Sequence, residues 1–286
     1  MPRTRSRSIK ALLESHGLRP RKGLGQNFLV DPIALERIVA AAGPSPQDTV
    51  LEVGPGPGGL TELLLEQAGR VVAVEIDPAM VALLRERFSE KPGLHIVEGD
   101  FLDLSPLDLL GLALPRDGSP HPHYKVVANL PYYITSAVLR RVNESPLRPT
   151  RAVFTVQREV AARLVAGPGD MSILAVSIQL FGEPRIVARV PAGAFYPAPK
   201  VDSAVVRIDY LDALPLAEEE TARFFRVVRA GFGQRRKQLH NALTAGLSLP
   251  NAAVRAALER AGIDPRARAE TLTVDQWVDL LRALEP

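Results

Sequence analysis

Five short runs of apolar, largely β-branched residues alternate with stretches of helical character in the first part of the chain. Such runs are typical of strands buried in a parallel sheet, and the stretches between them suit the crossover helices that parallel strands require. The runs cover residues 49–53, 70–75, 94–98, 125–128 and 152–156. This alternation predicts a doubly wound α/β sheet, with crossover helices that include residues 61–67 and 79–88.

Two further strand candidates, residues 185–190 and 203–210, are separated by a proline-rich loop rather than by a helix. Strands joined in this way are expected to pair antiparallel, as a long final hairpin of the sheet. The pattern then becomes helical, with periodic apolar residues through Phe224, Val228, Leu239 and Leu243 and again over residues 251–261 and 275–284. We therefore predict a first domain of residues 1–211 and a small all-helical domain of residues 212–286.

The charge of the chain is concentrated in two places. The net charge is only +3, but the basic N-terminal arm, residues 1–26, carries seven basic side chains and one acidic one. A second cluster lies in a stretch without acidic residues and comprises Arg226, Arg229, Arg235, Arg236 and Lys237. Such clusters indicate a polyanionic partner such as nucleic acid, while a solvated face and a frayed tail are the alternative explanation.

Composition excludes several classes of protein. The chain has no cysteine, which excludes disulfides, thiolate nucleophiles and cysteine-rich zinc sites. No apolar run approaches the roughly 18 residues of a membrane span, so a cytoplasmic location is expected. His121 and His123 lie in a predicted surface loop, residues 105–124, without a third ligand, and no metal site is predicted.

The most informative local motif is Leu-Glu-Val-Gly-Pro-Gly-Pro-Gly-Gly-Leu-Thr at residues 51–61, between the first predicted strand and the first predicted helix. Glycines at such a turn let a ligand approach the backbone closely. Gly54, Gly56 and Gly59 fit a dinucleotide-binding fingerprint, and Glu75 follows where an acidic residue would bind a ribose. By itself the motif does not distinguish NAD from S-adenosylmethionine.

Two later strand ends favour a different chemistry from hydride transfer. The third predicted strand ends in Glu-Gly-Asp-Phe at residues 98–101, and the fourth is followed by Asn-Leu-Pro-Tyr at residues 129–132. Both should lie at the carboxyl edge of the sheet, where ligands bind in open α/β folds. An amide, exposed carbonyls and an aromatic face suit a flat base that carries an amine.

Together with two further motifs, these segments resemble the rRNA adenine N6-dimethyltransferase family. The further motifs are Gly-Leu-Gly-Gln-Asn-Phe-Leu at residues 23–29 and Phe-Tyr-Pro-Ala-Pro-Lys-Val at residues 195–201. The chain is most similar to the bacterial small-subunit branch, which dimethylates two adjacent adenosines in a hairpin loop near the 3′ end of 16S rRNA. The resemblance implies a Rossmann-like class I S-adenosylmethionine methyltransferase sheet, a role in small-subunit biogenesis and a monomer without a membrane partner.

The resemblance also implies a set of cofactor contacts. Asn27 and Leu29 would close over S-adenosylmethionine, and Glu75 would bind its ribose hydroxyls. Asp100 would accept a hydrogen bond from the adenine amino group, although a helix N-cap is the alternative role for this side chain. The full implied set is Asn27, Leu29, Gly54, Gly56, Glu75, Ile76, Asp100, Phe101 and Asn129.

The implied catalytic residues are Asn129, Leu130, Pro131, Tyr132 and Phe195. Asn129 and the Leu130 carbonyl would accept hydrogen bonds from the N6 hydrogens of the target adenosine, and Tyr132 and Phe195 would enclose its base. A purely structural core position is the alternative for Phe195. The expected RNA-binding residues are Arg235, Arg236 and Lys237, with Arg21 and Lys22 from the arm.

Three other functions remain open from the sequence. A large-subunit rRNA or resistance-type adenine methyltransferase would use the same chemistry. A non-catalytic RNA-binding assembly or transcription factor could use the same fold, because fold does not determine function. An NAD-dependent oxidoreductase would use the same glycine-rich loop.

Overall fold

The computed structural model describes residues 9–112, 123–234 and 236–284. The strands in these ranges are β1 (Phe28–Leu29), β2 (Thr49–Val53), β3 (Arg70–Glu75), β4 (Leu94–Glu98), β5 (Tyr124–Asn129), β6 (Arg151–Gln157), β7 (Gly182–Val190), β8 (Phe195–Tyr196) and β9 (Ser203–Tyr210). The α-helices are α1 (Ile9–Ser15), α2 (Pro32–Ala42), α3 (Gly59–Leu65), α4 (Pro78–Arg87), α5 (Pro106–Gly111), α6 (Thr135–Asn143), α7 (Arg158–Leu164), α8 (Ile173–Gln179), α9 (Glu218–Phe232), α10 (Leu239–Leu247), α11 (Asn251–Arg260) and α12 (Val274–Ala283). Short 3-10 helices cover Lys22–Leu24, Ala192–Ala194 and Ala269–Thr271.

In the described part of the chain the main sheet has seven strands in the order β4-β3-β2-β5-β6-β9-β7. The strands β4, β3, β2, β5 and β6 are parallel, and β9 joins β6 antiparallel. The predicted doubly wound sheet is confirmed, and the two strands of the predicted hairpin are neighbours in it. The carboxyl ends of β2 to β5 therefore meet at one edge, where this class of sheet binds ligands.

Three helices of the first unit begin in the same way, with a capping side chain followed by proline. Asp31 accepts the backbone N–H of Ala34 at 2.7 Å at the start of α2, and Asp77 accepts that of Ala79 at 3.1 Å at the start of α4. Ser105 caps α5 in the same way. The first-turn proline is suited to this position because its missing N–H would have no partner in the helix.

One sequence prediction and one alternative explanation are corrected by the helices α5 and α1. The expected surface loop of residues 105–124 contains the helix α5, because Ser105 and Pro106 form a helix start, and its last residue opens β5. Residues 113–122, with His121, lie outside the described residues. The basic arm is not a frayed tail over its described part, because α1 buries Leu13 against Phe28.

The chain divides into two compact units. The first consists of residues 1–161 and 184–210 and holds the sheet. The second consists of residues 162–183 and 211–286, so it contains α8 as well as the four C-terminal helices. From the sequence, residues 162–183 were assigned to the first domain, because they lie between two strands of the sheet along the chain.

The second unit has its own core around Trp277, which is fully buried and lies 5.7 Å from the ring of Phe232. Gly231 of α9 allows this, because a Cβ there would collide with the Trp277 ring. No helix in the described ranges is long and apolar enough to cross a membrane.

Candidate active site

A cavity of about 260 Å³ lies at the carboxyl ends of β2 to β5. It brings together motifs that are far apart in the sequence, because parallel strands all present their carboxyl ends at this edge. The predicted site residues that line it are Asn27, Gly54, Gly56, Glu75, Ile76, Asp100, Phe101, Asn129, Leu130, Pro131, Tyr132 and Phe195. Leu29 does not line this cavity, since its side chain is buried in the core of the first unit.

Glu75 is the last residue of β3, and each oxygen of its carboxylate accepts a hydrogen bond from the backbone. One carboxylate oxygen accepts the backbone N–H of Gly56 and the other accepts that of Asp77, each at 2.9 Å. The side chain is 5% exposed, and burial raises its pKa above the ordinary value for a glutamate. Each oxygen retains a second acceptor position, so the fixed carboxylate can accept two ribose hydroxyls.

The glycine-rich loop contributes space in two different ways. Gly54 has a φ of 71°, and a Cβ added there would meet no atom within 4 Å, because the backbone borders the open cavity. Gly56 has a φ of 55°, and a Cβ there would lie 2.8 Å from the Phe28 ring. Both positions favour glycine through their positive φ, and the missing Cβ leaves the backbone open to the cavity at Gly54 and makes room for Phe28 at Gly56.

Glu52 is a buried carboxyl group in the same motif that sequence reasoning did not single out. It is 1% exposed, and burial, together with the charge of Glu75, raises its pKa to about 8. Its Oε2 atom has no hydrogen-bond partner among the described residues. At neutral pH the group is therefore mostly protonated in this structure.

Asp100 and Phe101 follow β4 on the next part of the cavity wall. Asp100 Oδ1 accepts the backbone N–H of Leu102 at 2.9 Å and so stabilises the turn after the strand. The next helix is capped by Ser105, which rules out the helix N-cap alternative for Asp100. Phe101 is buried, whereas Ile76 is 47% exposed and presents an apolar surface beside Glu75.

The orientation of Asn129 is set by the Asn27 motif. The amide nitrogen of Asn129 donates to the backbone carbonyl of Asn27 at 3.2 Å, and the amide of Asn27 donates to the carbonyl of Gly25 at 3.0 Å. With its NH₂ group engaged, the Asn129 amide offers its oxygen as an acceptor. The backbone N–H of Leu130 donates to Thr155 of β6, which fixes the following peptide.

Two aromatic side chains border the cavity near Asn129. The hydroxyl of Tyr132 lies 3.0 Å from the hydroxyl of Ser203. Phe195 is 5% exposed and pairs with Leu29 in the small sheet of β1 and β8. Phe195 thus belongs to the core and also lines the cavity, so its two predicted roles are compatible.

Sequence reasoning missed part of the cavity wall. Tyr133, Phe28 and Gln26 also line the cavity, and each directly adjoins a residue that was singled out. Tyr133 is 67% exposed. Their position next to a predicted site residue could have pointed to them. Sequence alone, however, does not show which side chain of a short loop faces a cavity.

The predicted RNA-binding residues differ in their surroundings. Arg21 pairs with the buried Asp77 at 3.1 Å, and Gln26 donates to the same carboxylate at 2.8 Å. Lys22, Arg236 and Lys237 are exposed, whereas Arg235 lies outside the described residues. The ion pair with Asp77 therefore holds Arg21 near the carboxyl end of β3, where Glu75 lies.

The whole chain is similar to known proteins. A family model described as ribosomal RNA adenine dimethylase matches residues 17–285. The chain belongs to this family. It is 48% identical to the ribosomal RNA small subunit methyltransferase A of Dehalococcoides mccartyi, over 94% of this chain and 89% of the relative.

Two solved structures extend the comparison. A dimethyladenosine transferase from Plasmodium falciparum is 25% identical with a TM-score of 0.75, over 88% of this chain and 95% of that chain. The 23S rRNA methyltransferase ErmE is 31% identical with a TM-score of 0.72, over 91% of this chain and 100% of that chain.

As a ribosomal RNA adenine dimethylase family member, the chain is an rRNA adenine methyltransferase that uses S-adenosylmethionine. The resemblance of its motifs to this family is confirmed. The cavity fits the cofactor through the fixed Glu75 carboxylate and the open space beside Gly54. The non-catalytic and oxidoreductase alternatives are not favoured. Among the described residues, no group of three or more histidine, aspartate or glutamate side chains could hold a metal ion.

Proposed function

We propose that this protein transfers methyl groups from S-adenosylmethionine to the N6 amine of adenosine in small-subunit rRNA. Its targets are two adjacent adenosines in the 3′-terminal hairpin loop of 16S rRNA, each of which it dimethylates. The relative at 48% identity is named a small subunit methyltransferase, whereas the 23S rRNA methyltransferase is 31% identical. This difference favours the small subunit over the large one.

One observation carries the proposed chemistry. The oriented Asn129 amide and the fixed Glu75 carboxylate line the same cavity, which supports an amine acceptor beside a ribose clamp. Asn27, Gly54, Gly56, Glu75, Ile76, Asp100 and Phe101 are the residues proposed to hold the cofactor. Leu29 acts only indirectly in this proposal, through its place in the core behind Phe195.

When bound, S-adenosylmethionine supplies an electrophilic methyl group on a sulfonium centre. The Asn129 oxygen and the Leu130 carbonyl accept hydrogen bonds from the two N6 hydrogens of the adenosine. This holds the amine nitrogen so that its lone pair points at the methyl group instead of delocalising into the ring. Tyr132 and Phe195 hold the extruded base between them.

The remaining parts of the proposal concern the partner and the setting. Arg235, Arg236, Lys237 and Lys22 contact RNA phosphates, and residues 212–286 form an RNA-binding domain. The exposed positions of Lys22, Arg236 and Lys237 support this. We also propose a monomer that acts in the cytoplasm, without a membrane partner, during assembly of the small subunit.

The test is methyl transfer to defined RNA. The protein is incubated with labelled S-adenosylmethionine and either naked 16S rRNA, partly assembled small subunits or large subunits, and the modified nucleotides are mapped. We expect N6,N6-dimethyladenosine at two adjacent positions near the 3′ end of 16S rRNA. Modification confined to 23S rRNA, or no transfer to any RNA, would contradict the proposal.

A further inference from the structure

Ser203 is a fully buried serine with a hydrogen bond into the active-site wall. It is the first residue of β9, opposite Gln157 of β6, and none of its surface is exposed. Its hydroxyl lies 3.0 Å from the hydroxyl of Tyr132. A buried hydroxyl without a partner is costly, so this bond favours one position of the Tyr132 ring.

The segment that contains Ser203 also carries the second aromatic wall. Phe195 lies at its start in β8, and residues 197–202 connect β8 to β9. This connection is itself fixed, because Asp202 accepts the backbone N–H of Ala192 at 3.0 Å and its carbonyl accepts that of Arg158 at 3.1 Å. One stretch of chain therefore holds Phe195 directly and Tyr132 through Ser203.

We infer that Ser203 is a positioning residue that sets the place of Tyr132 relative to Phe195 and so controls the slot for the target base. This inference rests on the proposed function, in which the two aromatic side chains enclose the adenine. Ser203 does not contact the base and acts only through the Tyr132 hydroxyl.

The two methylation steps should depend on Ser203 to different degrees. Adenosine offers two N6 hydrogens to the Asn129 oxygen and the Leu130 carbonyl, but N6-methyladenosine offers only one. The hydrogen-bond restraint on the amine is therefore weaker in the second step. Stacking of the base against Tyr132 and Phe195 then contributes more to the alignment of the amine. Loss of the hydrogen bond that fixes the Tyr132 ring should therefore slow the second methyl transfer more than the first.

The experiment compares Ser203→Ala, Tyr132→Phe and the double variant in single-turnover methyl transfer to saturating RNA. Monomethylated and dimethylated adenosine are quantified by mass spectrometry, and S-adenosylmethionine affinity is measured in parallel. We expect each single variant to slow the second transfer about three- to tenfold, the loss of one hydrogen bond, with unchanged cofactor affinity. The double variant should be no slower than either single one.

Ser145→Ala is the matched control, because Ser145 is also a buried serine of the first unit and does not line the cavity. It should leave the product ratio unchanged. Additive losses in the double variant, or a parental product ratio in Tyr132→Phe, would overturn the inference. Tyr132→Phe leaves the buried serine in place, so the test stands even if Ser203→Ala does not fold. A parent protein that methylates no adenosine would instead overturn the proposed function.

Discussion

At the scale of single residues, Glu75 most restricts what the cavity can bind. Its replacement by alanine should weaken S-adenosylmethionine binding by about 1.5 to 3 kcal/mol, the range for hydrogen bonds to a charged group. Isothermal titration calorimetry measures this as an increase in the dissociation constant of roughly tenfold or more. Glu75→Gln is the matched control, because it keeps an acceptor for one backbone N–H and should lose less affinity. An unchanged dissociation constant in the alanine variant would remove Glu75 from the site.

Asn129 should matter for turnover rather than for cofactor affinity. Asn129→Ala removes an acceptor that the Asn27 carbonyl holds in place, and the amine needs this acceptor most in the transition state. We expect the single-turnover rate to fall by about 100-fold to 1000-fold, the cost of deleting a preorganised transition-state hydrogen bond. Cofactor affinity, measured by calorimetry, should be nearly unchanged.

Tyr132→Ala is the comparison for Asn129→Ala. It removes a stacking surface worth about 1 to 3 kcal/mol, so it should weaken capture of the flipped base as well as its methylation. The RNA concentration that gives half-maximal rate should therefore rise in this variant and remain parental in Asn129→Ala. A near-parental rate for Asn129→Ala would contradict the amine-positioning mechanism.

Glu52 should make the stability of the cofactor-free protein depend on pH. Its pKa in the folded protein is about 8, well above the ordinary value of 4.5 for a glutamate. The folded state therefore binds the proton more tightly, and the stability from this group is complete below about pH 4.5 and is lost as pH rises through 8. Glu52→Gln removes this loss, so its melting temperature relative to the parent should increase from pH 5 to pH 9.

Exposed Glu66→Gln provides the control for this measurement, since Glu66 lies on the surface after α3. This variant removes one carboxyl group from an exposed position, so it provides the baseline for the difference between Glu52→Gln and the parent. A difference between Glu52→Gln and the parent that stays constant from pH 5 to pH 9 would mean that Glu52 is not protonated in the folded protein.

At the scale of elements, the turn between α9 and α10 is the part that we expect to meet RNA. Replacing Arg235, Arg236 and Lys237 by glutamine should flatten the slope of log affinity against log salt by roughly two to three units, one for each lost phosphate contact. RNA binding measured over a range of salt concentrations gives this slope. Cofactor affinity should not change.

A matched control uses three exposed basic residues of the first unit, which are Arg37 of α2, Arg85 of α4 and Lys91 between α4 and β4. Their neutralisation lowers the net charge equally but should leave the salt slope closer to the parental value. If the slope were parental in the Arg235, Arg236 and Lys237 variant, the docking face would lie elsewhere, for example on the N-terminal arm.

The elements differ in how far the sequence predicts them. The strands β2, β3, β5 and β6 were predictable because a strand buried on both faces is largely an apolar run. The edge strand β4 is only partly buried, and its prediction rested on Leu94, Ile96 and Val97. The helices α1, α2 and α6 were not identified, although Asp31 and Pro32 form the same start signal as Asp77 and Pro78. The two-residue strands β1 and β8 carry no periodicity, because their pairing depends on tertiary contact.

The site was predictable to the level of motifs but not of contacts. The family resemblance identified Glu75, Asp100 and the motif at residues 129–132. These residues lie at strand ends, which a parallel sheet brings together at one edge. It did not supply the bond between Ser203 and Tyr132 or the burial of Glu52. Those depend on the strand order and on which side of each strand faces the core, which local sequence does not determine.

At the scale of the whole molecule, ligand binding should stabilise the folded protein selectively. S-adenosylhomocysteine at about 100 times its dissociation constant should stabilise the protein by about 2.7 kcal/mol and raise its melting temperature. NAD at the same concentration should not, because the described residues that line the cavity include the carboxylates of Glu75 and Asp100 and no basic side chain, which disfavours a pyrophosphate. Equal stabilisation by both ligands would contradict the assignment of this cavity.

The strand order has a consequence for synthesis of the protein on the ribosome. The strand β9 lies between β6 and β7, although both precede it in the chain. A nascent chain that ends before β9 contains every residue proposed to bind the cofactor, but β6 then has an unpaired edge and β7 has no neighbour. Such an intermediate exposes strand edges that invite aggregation. Release of the last strand therefore pairs both exposed edges, and it also delivers Ser203, the residue proposed to position Tyr132, so in this proposal the slot for the base forms only after the sheet is closed.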